Sequence, residues 1–272
     1  MTNLARPAER SGTWVYVYAV LPRPLAAEVT GMAGQPVRWV AENQLVAAVS
    51  DVPGEEFDEE PLNANVRNMA WLGPRAVAHQ AVNSRLYEES DAIIPLAFGS
   101  VFRDDERVRQ LLRDEGQALA ARLERVRGNA EWVLALHLMG EPDDEAVASA
   151  SPAIQAMRQE ITASSPGRAH LLRRQLATLE RDESRRLQVD AAAQVLEALK
   201  SVATDVFVEP LPSDTVERPL LRASLLVPRR DESDFLDQID ALRVRWPDPT
   251  YRLLLTGPWP PYRFGGLERG DA

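Results

Sequence analysis

Residues 219–227, "PLLRASLLV", decide how the second half of this chain folds. The run is short and apolar and opens on a proline, so it reads as a strand with Pro219 at its start. Just before it, "VFVEPL" (206–211) reads as another strand. Just after it, Asp231 caps a helix whose apolar face is Phe235, Ile239, Leu242 and Trp246, spaced 4, 3 and 4 residues apart, and Pro247 stops that helix. "TYRLLLT" (250–256) is then the last strand. Upstream, "EWVLALHLM" (131–139) is a strand, and 154–204 is helical with an interruption at "SSPG" (164–167), which predicts a hairpin of two antiparallel helices. The resulting order is β, helical hairpin, β, β, α, β. With the hairpin standing for one helix this is the ferredoxin-like order, in which helices cover one face of an antiparallel sheet.

The hairpin is long and unevenly apolar. Leu172, Leu176 and Leu179 make a seam that fails at Glu183, Arg186 and Asp190, so a strict coiled coil is not supported. A second stripe resumes with Leu187, Ala191, Val195 and Val202. Between the stripes the helix is expected to be solvated, its arginines and acids pairing four residues apart.

The first half reads less regularly. "WVYVYAVL" (14–21) is a buried strand, and "VRWV" (37–40) and "LVAAVS" (45–50) are two more, joined by a tight turn at "AENQ". Residues 51–60 carry six acids and no base and read as a solvated loop leading into a helix. From Asn63 to Glu89 the pattern is helical, with Val66, Met69, Ala70 and Leu72 in one part and Val77, Ala78, Ala81, Val82 and Leu86 in the other, and Gly73-Pro74 predicts a break between them. "AIIPLAFGSVF" (92–102) is short, apolar and punctuated by Pro95 and Gly99. Asp104 caps a helix carrying Val108, Leu111, Leu112, Leu119, Leu123 and Val126. The whole chain of 272 residues is too long for one core, and two α+β domains are expected, 13–128 and 129–266, with residues 1–12 and 267–272 as flexible tails.

Composition narrows the function. The net charge is −10 and the pI about 5.0, which disfavours a nucleic-acid backbone or an anionic lipid membrane as partner. There is no cysteine, hence no thiol nucleophile, disulfide or Cys-ligated metal. Lys200 is the sole lysine. No nucleotide-binding, nucleophile-elbow or metal-ligand spacing appears, and no cofactor is implied. His79, His137 and His170 lie on three different expected elements. His79 sits beside Val82 and Leu86, where a histidine at the edge of a core making one hydrogen bond is the plain reading. The carboxylates come in runs that solvated loops and helix starts explain.

Two apolar stretches stand out. In "IIPLAFGS" Pro95 removes a backbone donor and Gly99 permits an unusual turn, with Phe98 between them. In "TGPWPPYRF" Gly257, Pro258, Trp259, Pro260, Pro261 and Tyr262 direct an extended exit from the last strand. The expectation is that this segment locks the end of the chain against the fold with Trp259 buried; a surface for a partner is the other use of stiff aromatics.

Taken in order, "WVYVYAVL", "LVAAVSDVP", "IIPLAFGSVF" and "LLLTGPWPPYRF" resemble the GvpL/GvpF family of gas vesicle proteins, from about Trp14 to Phe264. His79 stands where the family often has a histidine. Ala97 stands where it commonly has a basic residue, and Ser100 where it has threonine. The resemblance implies a non-enzymatic, cytoplasmic accessory protein of gas vesicle formation. It also implies, as partners, the small hydrophobic shell protein and other gas vesicle proteins. The contrasting expectation is a ligand-binding or enzymatic module on the ferredoxin-like scaffold, which would need a concave pocket around His79 or His137.

Overall fold

A computed structural model describes residues 12–26, 28–140, 147–149, 151–211, 218–246 and 250–266. The tails expected at the two ends lie outside these residues apart from Gly12, as do most of the segment before the hairpin and Pro247. The chain divides into two compact units: residues 1–131 with 258–272, and residues 132–257.

In the first unit, strand β1 (Thr13–Leu21) is central. Strands β2 (Arg38–Glu42) and β3 (Leu45–Pro53) form a hairpin, and β3 pairs antiparallel with β1 from Thr13 opposite Pro53 to Leu21 opposite Val46. The hairpin turn is Asn43-Gln44, and Asn43 takes the left-handed conformation (φ 53°) that its short polar side chain tolerates. The stretch 92–102 supplies two very short strands, β4 (Ile94–Pro95) and β5 (Val101–Phe102), which pair in turn with the other edge of β1, giving the order β2-β3-β1-β4. Flanked on both sides, β1 is buried from Val15 to Leu21. A bulge between Val17 and Ala19 shifts its alternation, so Val15, Val17 and Val20 share one face. That face packs on Val108 and Leu112 of helix α4 (Asp105–Asp114) and on Leu119 and Leu123 of helix α5 (Gly116–Val126). Asp104 caps α4 as expected, its carboxylate accepting the Arg107 N–H at 2.9 Å. The single helix read from the sequence is divided at Glu115.

The helices preceding that pair, α1 (Gly54–Phe57), α2 (Glu59–Asn65) and α3 (Met69–Glu89), replace two expectations. The acidic stretch is the end of β3 followed by α1 and the start of α2, not a loop. The break expected at Gly73-Pro74 lies at residues 66–68 instead, because the Asn68 side chain caps α3 by accepting the Ala70 N–H at 3.0 Å. Pro74 then stands near the helix start, exposed, where it removes one backbone bond. The buried face of α3 is His79, Val82, Asn83 and Leu86, whereas Met69 and Val77, read as apolar-face residues, are 72% and 70% exposed.

The second sheet comprises β6 (Asn129–Leu138), β7 (Asp205–Val208), β8 (Arg218–Pro228) and β9 (Tyr251–Trp259) in the order β7-β8-β6-β9. Counted along the chain this is 2-3-1-4, the ferredoxin-like arrangement that the order of elements predicts. Leu134 and Leu136 of β6 and Leu225 and Val227 of β8 are buried with Phe235, Ile239 and Leu242 of helix α8 (Glu232–Arg245), and the Trp132 and Phe235 rings meet at 5.5 Å. The hairpin is helix α6 (Pro152–Ala163) and the 35-residue helix α7 (Pro166–Lys200), whose Ala191, Val195 and Leu199 are buried. Leu176, Leu179 and Leu187 pack on Val147, Ala148 and Ile154. The strand β9 runs on through Gly257, Pro258 and Trp259 rather than ending at Thr256.

Candidate functional site

The second face of β1 carries two tyrosines, and they organise the site. Tyr16 and Tyr18 are fully buried, and a buried phenol needs a hydrogen-bond partner. Tyr18 Oη meets Ser50 Oγ at 2.7 Å and accepts the Met32 N–H at 2.6 Å. Tyr16 Oη accepts the Gly99 N–H at 3.1 Å and lies 2.9 Å from His79 Nδ1. The other ring nitrogen of His79, Nε2, is 2.9 Å from the Asn83 amide one helical turn on. Asn83 Nδ2 donates to Tyr262 Oη at 3.2 Å, and Tyr262 Oη donates to Gln80 Oε1 at 2.7 Å. A continuous polar chain therefore joins β1, the "AFGS" turn, α3 and the C-terminal motif, all within the first unit.

Aromatic rings enclose this chain. Phe98 stands edge-on to Tyr16, His79 and Trp71, and Phe57 packs on Tyr16 and Trp71. Gly99 takes φ 86°, a conformation that suits glycine and that aims its N–H at Tyr16. Pro95 is buried in β4, opposite Ala19.

Burial sets the protonation of the cluster. It lowers the His79 pKa to about 4, against a hydrogen bond to the Leu96 backbone that raises it, so the imidazole is neutral near neutral pH. Burial likewise raises Tyr16 and Tyr18 and lifts Tyr262 to about 12. His79 is 5% exposed. Two open grooves lie in this unit. One, of about 640 Å³, is lined by Trp14, Phe57, Leu62, Gly99, Phe102 and Leu111 among others; the second, of about 910 Å³, lies between the Asn43-Gln44 turn and α4–α5. His79 lines neither. Among the described residues no group of His, Asp and Glu side chains is placed to hold a metal ion. The arrangement fastens elements together, and the histidine serves as a satisfied interior link.

The C-terminal motif corrects one expectation. Trp259 is not the buried anchor: it is 38% exposed, at the end of β9. Pro260 and Pro261 are buried instead, followed by Phe264 in the short helix α9 (Tyr262–Gly265). The buried Glu131 carboxylate accepts the N–H groups of Arg263 at 2.7 Å and Phe264 at 3.3 Å, fixing this turn. Pro258 is exposed, and Gly257 belongs to the second unit with φ 137°.

Tyr16, Gln80, Asn83 and Glu131 were absent from the residues singled out by sequence. Signals existed: two tyrosines alternating within an apolar strand, an asparagine four residues after His79, and a lone acid opening the apolar run 131–139.

The fold thus defines a two-unit α+β protein in which both distinctive motifs contribute to closing one unit on itself. The family model of the gas vesicle synthesis protein GvpL/GvpF matches residues 14–265. The chain is 33% identical over 272 residues to gas vesicle protein L of a Streptomyces species, covering 94% of each chain. It is 30% identical over 263 residues to gas vesicle protein F of the same species, covering 93% of this chain and 98% of the relative. The crystal structure of gas vesicle protein GvpF from Anabaena superposes with a TM-score of 0.70 at 17% identity, over 94% of this chain and 99% of that one. The chain belongs to the GvpL/GvpF family, whose members act in gas vesicle formation.

Proposed function

We propose that this chain is a non-enzymatic assembly factor that binds the small hydrophobic gas vesicle shell protein in the cytoplasm and keeps it soluble until it joins the vesicle wall. The observation that supports this reading is the outward face of α3. Ala70, Pro74, Val77 and Ala81 are spaced 4, 3 and 4 residues apart and all exposed, with Met69 at the same end. A row of this kind offers apolar contact to an aggregation-prone partner, while a net charge of −10 keeps the carrier itself in solution. No helix among the described residues is long and apolar enough to cross a membrane. The site residues Phe98, Gly99 and Tyr262 serve the fold in this reading, and Pro258, being exposed, is available to a partner.

The test is co-expression with the shell protein and recovery of the soluble complex. Wild type is expected to retain the shell protein in solution, and a Met69→Ser/Val77→Ser double variant to lose most of it while melting as wild type does. If the wild-type chain neither binds nor solubilises the shell protein, the direct role is wrong.

A further inference from the structure

Helix α7 carries a basic stripe that the carboxylates among the described residues around it do not match. Between residues 168 and 186 there are six arginines against three carboxylates, in a chain whose total charge is −10. Two of these arginines are paired: Arg168 with Glu160 at 2.5 Å, and Arg186 with Glu183 at 2.5 Å and Asp190 at 2.7 Å. Glu180 is taken by Arg158 of α6 at 2.7 Å. Arg173, Arg174, Arg181 and Arg185 are exposed and carry no ion pair among the described residues. Positions 170, 174, 181 and 185 recur at helical spacing, so His170, Arg174, Arg181 and Arg185 form one line about 22 Å long, with Arg173 beside it. This line lies away from the leucine seam that packs inward.

The first unit carries the opposite feature. Glu55, Glu59 and Glu60 are exposed at the starts of α1 and α2 and have no ion pair among the described residues. Asp58 adds a fourth charge while its carboxylate caps α2 by accepting the Glu59 N–H at 2.8 Å, and Glu56 is engaged by Arg75 and Trp71. Both segments are helical and hold their charges in fixed order.

We infer that the arginine stripe of α7 docks the acidic 55–60 segment of a second copy of this chain. A nucleic-acid duplex is the poorer occupant: it needs an extended basic face, and the field of a chain with net charge −10 repels a polyanion at long range. A short carboxylate patch needs only the local pairs that these arginines offer, with forked guanidinium geometry suited to carboxylates. The two patches are different surfaces, so the contact is head-to-tail and continues into rows unless the rotation closes a ring. Such rows would present the apolar face of α3 once per copy, although the contact does not depend on that use.

The measurement is sedimentation of the full chain across concentration, between about 0.01 M and about 1 M salt, where the screening length falls from roughly 30 Å to about 3 Å. Self-association should weaken at least ~10-fold across that range, as several exposed pairs of modest individual strength require. An Arg174→Glu/Arg181→Glu/Arg185→Glu variant and a Glu55→Arg/Glu59→Arg/Glu60→Arg variant should each sediment as monomers at low salt. Mixing the two should restore association, because the charges are exchanged and not removed; this outcome also shows that both variants are folded. A wild-type chain monomeric at low salt, association indifferent to the arginine variant, or failure of two variants with wild-type circular dichroism to associate on mixing would each overturn the inference. A low-salt monomer that instead binds a duplex oligonucleotide through the stripe would replace it with the nucleic-acid reading.

Discussion

The interior placement of His79 makes the stability of the first unit depend on pH in a calculable way. In the folded chain burial lowers its pKa from 6.5 to about 4. Well above 6.5 the imidazole is neutral in both states and contributes no pH dependence. As pH falls through 6.5 the unfolded chain takes up a proton that the folded chain refuses until about 4, so stability is lost in that window. The full loss is about 3 kcal/mol, and roughly 2 kcal/mol of it falls between about pH 7.5 and about pH 5. His79→Gln preserves a polar side chain near Tyr16 and Asn83 and does not titrate. Urea unfolding of both proteins at the two pH values cancels the carboxylates they share and any constant cost of the substitution. Wild type is expected to lose ~2 kcal/mol more than His79→Gln on acidification. An equal loss in both proteins, or an imidazole NMR signal titrating near the ordinary histidine value in the folded state, would refute the account of a dry, neutral His79.

Phe264→Ala should cost about 3–5 kcal/mol, because the ring is buried in the first unit, whereas Trp259→Ala should cost well under half of that. Calorimetry ranks them, and a lower melting temperature for the Trp259 variant would restore tryptophan as the anchor. Gly99→Ala should destabilise by about 1–2 kcal/mol through the left-handed backbone alone, since a Cβ there would stand 3.4 Å from Leu62, an ordinary contact. Unchanged denaturant unfolding would show that the "AFGS" turn relaxes freely.

The apolar period along the chain carried most of the fold. The strand order of the second sheet follows from runs at 131–139, 206–211, 219–227 and 250–256, because each has one face or two to bury and the helical segments between them give the β, α, β, β, α, β order. Punctuation residues were less informative, since their cost depends on position in the sheet or helix. Gly257-Pro258 reads as the end of a strand, yet β9 continues through it; β9 lies at the edge of its sheet, where a missing N–H need not break a ladder bond. Pro74 reads as a helix break, but the Asn68 cap had already fixed the start of α3.

The face of α3 shows why the site was harder to read than the fold. Periodicity counts apolar residues and assigns Met69 and Val77 to the helix's apolar face. The structure instead buries His79 and Asn83, because Tyr16 of a distant strand and Tyr262 of the C-terminal segment supply their hydrogen bonds. A buried polar group is costly alone and acceptable when partnered, and the partners lie 63 and 179 residues away, beyond any local pattern. Rotating α3 to serve that network turns Met69 and Val77 outward. The apolar row proposed to meet the shell protein is therefore a consequence of the polar cluster. Weakening the cluster at Tyr16 or Asn83 should loosen the presentation of that row as well as the unit that carries it.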